Sequence, residues 1–176
     1  MVYLTNNYFQ TRKLGEILAR EILKTKPKSK ALVVGLEGDL GGGKTTFLQG
    51  LARGLGINQK ILSPTFVIMR KYEVRSTKKR RKRSSGLHTS YFRLYHIDCY
   101  RIQKPKEILE LGFKKIVSDP QNIAAIEWAD RIQKIVPKDA IWIEFEFIDK
   151  KTRKITVKNQ KSKFKNGKRK KTPHYY

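Results

Sequence analysis

The sequence predicts an α/β fold, a three-layer sandwich with a mainly parallel central sheet and an antiparallel hairpin. Three observations support this prediction. Short apolar segments typical of buried strands alternate with amphipathic helical segments along residues 7–157, and this alternation favours a parallel sheet. A glycine-rich segment at residues 38–43 joins one such strand directly to a helix. Two strand-like segments also flank a basic stretch at residues 75–83, as the two arms of a hairpin would.

Each element follows from a local pattern. Apolar residues repeat at helical spacing over residues 7–24, and a short, mostly apolar run at 31–36 indicates a buried strand. Apolar residues recur at helical spacing again over 47–55, and Gly54 and Gly56 mark the end of that helix. The remaining predictions are strands at 66–74, 91–97, 123–126, 140–148 and 152–157, with short helices at 105–111 and 129–136.

The distribution of charge divides the chain into a body and two basic appendages. The chain has 176 residues and a formal net charge of +25. Residues 75–83 hold seven basic residues and residues 150–171 hold twelve, with no acidic residue in either segment. We predict one domain over residues 1–158, with a polybasic insertion at the hairpin tip over 75–90, and a basic disordered tail over 159–176. The appendages either attract RNA or the ribosome, or are simply solvated.

Composition excludes several classes of protein. The single cysteine, Cys99, cannot form an internal disulfide. No stretch approaches the roughly 18 apolar residues that would indicate a transmembrane helix, and the N-terminus has no signal-peptide core. We therefore expect a cytoplasmic protein with no membrane partner.

Residues 38–45 read GDLGGGKT, a complete phosphate-binding loop of the G-x-x-x-x-G-K-T type. Glycines allow the backbone to bring its N–H groups close to phosphate oxygens. Lys44 can reach the β- and γ-phosphates, and the hydroxyl of Thr45 can bind Mg²⁺. The predicted strand before the loop and the predicted helix after it would place the phosphates at a positive helix N-terminus. The motif therefore predicts nucleotide binding, although so short a pattern also arises by chance.

Two carboxylates follow apolar, strand-like segments and would complete such a site. Glu127 follows residues 123–126, and Asp98 follows residues 95–97. In phosphate-loop proteins the acid that holds the metal lies at the C-terminal end of a buried strand, where the active-site crevice opens. We predict that Glu127 binds Mg²⁺ opposite Thr45, and that Asp98 orients or deprotonates the attacking water or helps to hold the metal. The alternative for each is an acid that caps a helix or lies at the surface.

Three further features are open to more than one interpretation. The segment Ser63-Pro64-Thr65 places a hydroxyl on each side of a rigid turn. It is either a segment that senses the γ-phosphate or Mg²⁺, or a plain turn before a strand. His96 lies within an apolar strand and is interpreted as structural rather than as a ligand. Trp128 is interpreted as a core aromatic residue, although it adjoins Glu127.

Several motifs occur together in a fixed order along the chain. An N-terminal T-x-x-L-G element is formed by Thr11, Leu14 and Gly15. The others are GDLGGGKTTF at 38–47, SPTF at 63–66, HIDCYR at 96–101, ELGF at 110–113 and EWADR at 127–131. This combination resembles the TsaE (YjeE-type) ATPase family of bacterial tRNA threonylcarbamoyladenosine synthesis. The resemblance covers roughly residues 5–157 and is far more specific than the phosphate loop alone.

The resemblance implies an ATPase that uses ATP rather than GTP and requires Mg²⁺. It implies that Asp98 is needed for hydrolysis and that Thr65 approaches the catalytic centre. The implied catalytic residues are Asp98, Lys44 and Thr65, and the implied metal ligands are Thr45 and Glu127. The implied nucleotide-binding residues are Thr11, which the family places near the base, with Gly41, Gly42, Gly43, Lys44, Thr45 and Thr46.

The resemblance also implies partners. They are the TsaB- and TsaD-type subunits of the threonylcarbamoyl-transferase heterodimer, which modifies adenosine 37 of ANN-decoding tRNAs. The insertion at 75–90 and the tail after Lys158 depart from the family pattern, and either one could contact tRNA. Two other interpretations stay open: a small P-loop kinase acting on a metabolite or nucleoside, and a nucleotide-gated RNA-binding protein in which hydrolysis is incidental.

Overall fold

The computed structural model describes residues 1–25, 29–74 and 93–159. Within these residues, seven strands form one sheet with helices on both faces. The strands are β1 (Val2–Thr5), β2 (Leu32–Gly38), β3 (Met69–Glu73), β4 (Arg93–Asp98), β5 (Asn122–Glu127), β6 (Ile141–Phe147) and β7 (Arg153–Asn159). The helices are α1 (Tyr8–Lys24), α2 (Lys44–Gly54), α3 (Pro105–Glu110), α4 (Phe113–Ser118) and a 3₁₀ helix (Ala129–Ile135).

The centre of the sheet is parallel and its edges are antiparallel. The strand order is β1-β7-β6-β2-β5-β4-β3, and the four strands β6, β2, β5 and β4 run parallel to one another. Strand β3 pairs antiparallel with β4, and β7 pairs antiparallel with both β6 and β1. The predicted α/β class, the mainly parallel centre of the sheet and the hairpin formed by β3 and β4 are therefore confirmed.

Two apolar cores fill the spaces between the sheet and the helices. One core lies between the sheet and helices α1 and α2, and the other lies between the sheet and helices α3, α4 and the 3₁₀ helix. Helices α1 and α2 approach each other so closely that a Cβ at Gly50 would lie 1.9 Å from the backbone oxygen of Arg12. This packing fixes α2, and with it the loop that precedes α2, against the sheet.

The sequence-based prediction missed two short elements and was wrong about the start of a third. It did not include β1 or α4, and β3 begins at Met69 rather than at residue 66. Residues 64–68 instead form a turn, in which the N–H groups of Val67 and Ile68 donate to the carbonyl of Pro64. Ile68 has a left-handed φ of 62°, which is strained for a β-branched residue. The chain therefore joins the sheet later than the pattern indicated.

The predicted appendages fall mostly outside the described residues. This holds for the insertion at 75–90, for the start of the predicted strand at 91–97, and for residues 160–176 of the tail. Asn159, where the tail was predicted to begin, is the last residue of β7. The proposed domain boundaries stay predictions. In the ranges that the structure describes, no helix is both long and apolar enough to cross a membrane.

Candidate nucleotide-binding site

The loop between β2 and α2 has the backbone geometry that its glycines favour. Gly41 and Gly43 have left-handed φ angles of 71° and 99°, which residues with a Cβ rarely adopt. The N–H of Gly42 donates to the carbonyl of Asp39 (3.0 Å) and closes the loop on itself. Helix α2 begins at Lys44, and the N–H groups of its first turn have no acceptors within the helix. The loop thus leads into a positive helix end that suits an anion.

Lys44 is buried beside this loop, and its ammonium group has three close contacts. The Nζ atom donates to the carbonyls of Gly38 (2.8 Å) and Asp39 (2.6 Å). It also lies 3.8 Å from the centre of the Trp128 ring, a cation–π contact. Burial lowers the pKa of Lys44, while nearby carboxylates, Glu127 first among them, act in the opposite direction. An ammonium group so poorly hydrated is stabilised strongly by a neighbouring polyanion such as a phosphate group.

Glu127 lies at the end of β5 and is hydrogen-bonded from two sides. The hydroxyl of Thr45 donates to its carboxylate, at 2.8 Å from Oε2 and 3.0 Å from Oε1. The Nε2 atom of His96 lies 2.8 Å from Oε1, and because an ionised carboxylate only accepts hydrogen bonds, this nitrogen carries the proton. Glu127 is 3% exposed and His96 is 0% exposed. Thr45 and His96 therefore hold Glu127 in one orientation beside the first turn of α2.

Asp98 ends β4 directly beside Glu127, its partner in the parallel ladder of β4 and β5. The hydroxyls of Ser63 and Thr65 donate to Oδ2 of Asp98, at 2.5 and 2.7 Å. The backbone N–H of Tyr100 donates to Oδ1 at 2.9 Å. These bonds orient a carboxylate that is only 3% exposed. The Ser63–Thr65 segment is therefore more than a plain turn, because both of its hydroxyls contact this acid.

An open pocket of about 420 Å³ lies where these residues meet. Its walls come from the phosphate loop, the first turn of α2, the Ser63–Thr65 segment and the ends of β4 and β5. The lining residues are Leu40, Gly41, Gly43, Lys44, Thr45, Thr46, Ser63, Thr65, Asp98, Tyr100, Glu127 and Trp128. The structure thus brings most of the predicted site residues, from well-separated parts of the chain, into one place.

Two of the predicted residues, Thr11 and Gly42, do not line this pocket. A Cβ at Gly42 would lie 3.2 Å from the Cβ of Phe145, so this residue faces the sheet. Thr11 is 2% exposed, and its hydroxyl lies 2.8 Å from the Oγ1 atom of Thr5. The methyl group of Thr11 lies 3.4 Å from the position that a Cβ of Gly43 would occupy. Thr11 therefore supports the loop from behind, and its direct contact with a nucleotide stays a prediction.

Sequence reasoning assigned no contact in the site to His96 or Trp128. The position of His96 in the site could have been predicted, because it lies two residues before Asp98 on the same strand and its side chain is therefore on the same face of the sheet. Trp128 is partly buried against the second apolar core, but its ring also contacts Lys44. Its φ of 57° is left-handed, a strained conformation for a residue with a Cβ. No pattern in the sequence indicated this turn of the chain directly after Glu127.

The oxygen atoms in the pocket suit a Mg²⁺ ion that is shared with phosphates. Mg²⁺ is usually bound by one or two carboxylates together with substrate phosphates and water, rather than by a cage of protein ligands. Thr45 supplies a hydroxyl and Glu127 a carboxylate, hydrogen-bonded to each other at the start of α2. These two residues are the ones that would hold the ion.

Replacing His96 with alanine is expected to lower the free energy of unfolding by about 2–4 kcal/mol. The change leaves a cavity and removes one donor from the buried carboxylate of Glu127. Urea unfolding of the wild type, His96→Ala, Glu127→Gln and the double variant measures the effect as a cycle. Because the two side chains are in contact, we expect their effects to depart from additivity by about 1–2 kcal/mol. Strictly additive effects would contradict the proposed coupling.

A strand, a glycine-rich loop and a helix that starts with Lys44 and Thr45, set in a parallel sheet, define a P-loop nucleotide-binding protein. Comparison with known proteins then identifies the family. The family model described as threonylcarbamoyl adenosine biosynthesis protein TsaE matches residues 5–155. The chain belongs to the TsaE family, and the resemblance that the motifs indicated is confirmed.

Individual relatives are similar over most of the chain. The tRNA threonylcarbamoyladenosine biosynthesis protein TsaE of Rickettsia felis is 33% identical over 155 residues, which cover 88% of this chain and 77% of that protein. The protein of the same name from Bacillus subtilis is 35% identical over 124 residues, which cover 70% and 67% of the two chains. The crystal structure of Bacillus subtilis YdiB is similar with a TM-score of 0.65 and 28% identity, covering 94% of this chain and 88% of that one.

Proposed function

We propose that this chain is the Mg²⁺-dependent, ATP-binding and ATP-hydrolysing subunit required for tRNA N6-threonylcarbamoyladenosine modification. It acts with the threonylcarbamoyl-transferase heterodimer of TsaB- and TsaD-type subunits, in the cytoplasm. The observation that carries the proposal is the position of Asp98 and Glu127, side by side on adjacent parallel strands and in one pocket with the phosphate loop. Membership of the TsaE family supplies the pathway.

The phosphates of ATP bind at the start of α2. The N–H groups of the first turn of α2 donate to them, and the ammonium of Lys44 neutralises charge on the β- and γ-phosphates. Burial of Lys44 and its contact with the Trp128 ring keep this charge out of bulk water, and its interaction with phosphate is therefore stronger than it would be in water. Much of the catalysis in this class of reaction comes from such positioning and charge stabilisation.

Thr45 and Glu127 would hold Mg²⁺, which when bound would neutralise negative charge on the phosphate oxygens. His96 keeps the carboxylate of Glu127 oriented toward Thr45. Asp98 orients and deprotonates the water that attacks the γ-phosphate. The hydroxyls of Ser63 and Thr65 both donate to Oδ2 of Asp98, so a shift of the Ser63–Thr65 segment would change which oxygens of Asp98 are available to accept a proton.

Reconstitution of the modification tests this proposal. Purified TsaB- and TsaD-type heterodimer, unmodified tRNA and a threonylcarbamoyl donor are combined with the wild-type chain or with Lys44→Ala, and the modified nucleoside is measured by mass spectrometry. We expect repeated turnover of the heterodimer only with the wild-type chain and ATP. Lys24→Ala, an exposed lysine on α1 that pairs with Glu21, is the matched control and should behave as wild type. Equal product without the chain would contradict the proposal.

The two alternative functions predict different results in simpler assays. A small kinase would form ADP only when an acceptor is present, whereas the proposed ATPase hydrolyses ATP with water and is accelerated by the heterodimer. A nucleotide-gated RNA-binding protein would lose its function on deletion of residues 76–90 and tolerate Lys44→Ala. The proposed ATPase would lose its function in Lys44→Ala and tolerate the deletion. Comparing the tRNA affinity of the wild type with that of the deletion variant shows whether the basic insertion contributes to tRNA binding.

A further inference from the structure

Arg153, the first residue of β7, contacts the phosphate loop but is not among the residues that line the pocket. Its Nε atom donates to the carbonyl of Gly41 at 2.8 Å. Its Cγ atom lies 3.9 Å from the position that a Cβ of Gly43 would occupy. Arg153 is remote in sequence from residues 38–45, and no motif draws attention to it. Its side chain nevertheless touches the part of the loop whose backbone is left-handed.

The arginine side chain is held in place by the hairpin of β6 and β7. Its Nη1 atom donates to the carbonyls of Asp149 (2.6 Å) and Thr152 (3.0 Å). The turn that presents these carbonyls is closed by the Asp149 carboxylate, which accepts the N–H groups of Lys151 and Thr152 at 2.8 Å each. The guanidinium group also lies 4.4 Å from the centre of the Phe147 ring. The direction of the arginine side chain is therefore set by contacts within the protein.

Further hydrogen bonds tie the same loop to the same hairpin. The N–H of Asp39 donates to the carbonyl of Phe145 (3.1 Å), and the N–H of Phe147 donates to the carboxylate of Asp39 (3.0 Å). With the bond from Arg153 to Gly41, these contacts attach both the beginning and the middle of the loop to β6 and β7. The hairpin of β6 and β7 therefore restrains the conformation of the loop.

The peptide between Gly41 and Gly42 is fixed at both ends. Its carbonyl accepts from Arg153, and its N–H donates to the carbonyl of Asp39 at 3.0 Å. The carbonyl and N–H of a trans peptide point in opposite directions, so these two bonds together set the plane of the peptide. Glycines would otherwise leave this part of the loop free to rotate, and that freedom would have to be lost when phosphate binds.

From this geometry we infer that Arg153 is a positioning residue for phosphate binding. It holds the Gly41–Gly42 peptide in the orientation that the loop needs to receive a nucleoside di- or triphosphate, without itself touching the phosphates. The inference rests on the proposed function only for the identity of the ligand. Whatever the ligand, the loop is pre-organised by the side chain of Arg153, which lies outside the phosphate-loop motif.

The test compares Arg153→Ala with Lys154→Ala. Lys154 is the next residue of β7, and its ammonium pairs with Glu146 at 3.0 Å rather than with the loop. We expect Arg153→Ala to weaken ADP binding on the order of tenfold in calorimetry, the size expected for loss of a charge-assisted hydrogen bond. The turnover number for ATP should change little while KM rises, because ground state and transition state lose the same pre-organisation. Lys154→Ala should match the wild type in both.

A second readout does not depend on activity. Amide hydrogen exchange of Gly42, measured by NMR on ¹⁵N-labelled protein without nucleotide, should be severalfold faster in Arg153→Ala than in Lys154→Ala. If Arg153→Ala does not fold, Arg153→Lys keeps the stem and the charge but lacks the Nε donor, and should show the same two effects more weakly.

Unchanged ADP affinity together with unchanged Gly42 exchange would overturn the inference. So would a fall in turnover number at unchanged affinity, which would indicate direct contact with the reacting phosphate. If the wild type itself binds neither ADP nor ATP, the proposed function fails, and the exchange measurement still decides the role of Arg153.

Discussion

Replacing Lys44 with alanine is expected to weaken ATP and ADP binding by roughly 100-fold or more. Among the described residues, Lys44 carries the one cation that lines the pocket, and its low hydration makes its interaction with phosphate strong. Isothermal titration calorimetry measures the loss. The substitution also removes the hydrogen bonds from Nζ to the carbonyls of Gly38 and Asp39, so the fold of the variant has to be checked separately.

Two comparisons make the Lys44 result interpretable. Lys13→Ala removes an exposed lysine on α1 that pairs with Glu16, and its nucleotide affinity should equal that of the wild type. Thermal unfolding of both variants shows whether the fold is intact. Nucleotide affinity within a few-fold of wild type in a folded Lys44→Ala protein would mean that the phosphates bind elsewhere.

Replacing Asp98 with asparagine is expected to lower the turnover number for ATP by about 10²–10⁴-fold, the usual contribution of a general base. Asparagine has nearly the same shape, and its one carbonyl oxygen can still accept from Ser63 and Thr65, although its NH₂ group cannot accept from the N–H of Tyr100. Thermal unfolding of the variant therefore checks that the fold is kept. ATP affinity should stay close to that of the wild type, because in the proposed mechanism Asp98 contacts the water rather than the nucleotide. Steady-state kinetics and calorimetry on the same preparation separate the two effects.

The matched control for Asp98 is Asp139→Asn, which changes an exposed aspartate before β6 that does not line the pocket. It should keep the wild-type turnover number. A contrasting result is expected for Glu127→Gln, in which the Mg²⁺ concentration needed for activity should rise because the proposed metal ligand loses its charge. A wild-type turnover number in Asp98→Asn would contradict the proposed role of Asp98 in hydrolysis. Asp98 would then only hold the Ser63–Thr65 segment in place.

Much of the candidate site could be predicted because it depends on local sequence and on a general property of parallel sheets. The phosphate loop is a continuous motif, so its residues need no tertiary information. Glu127 and Asp98 each end an apolar strand, and the carboxyl ends of neighbouring parallel strands lie together. Their convergence with the loop follows once β5 lies between β2 and β4 in the parallel sheet.

The remaining features depend on contacts that no local pattern reveals. Strand β1 has four residues and exists by pairing with β7 near the other end of the chain. Ile68 and Trp128 have left-handed backbone angles, whereas residues with a Cβ usually have negative φ. The ordinary conformational preferences of these residue types therefore predict the wrong backbone at both positions. The contact between Arg153 and Gly41 needs the register of β6 and β7, which places Arg153 opposite Phe147.

We propose that one divalent ion is bound jointly by Thr45, Glu127 and the phosphates of a nucleotide in the loop. Electron paramagnetic resonance of Mn²⁺ added with ADP tests it most directly, because Mn²⁺ replaces Mg²⁺ and reports couplings to nearby ³¹P nuclei. We predict a bound Mn²⁺ signal with ³¹P coupling in the wild type, and its loss or marked weakening in Thr45→Ala and Glu127→Gln. A signal of equal strength in all three proteins, or ADP binding that is unaffected by the metal, would contradict the account.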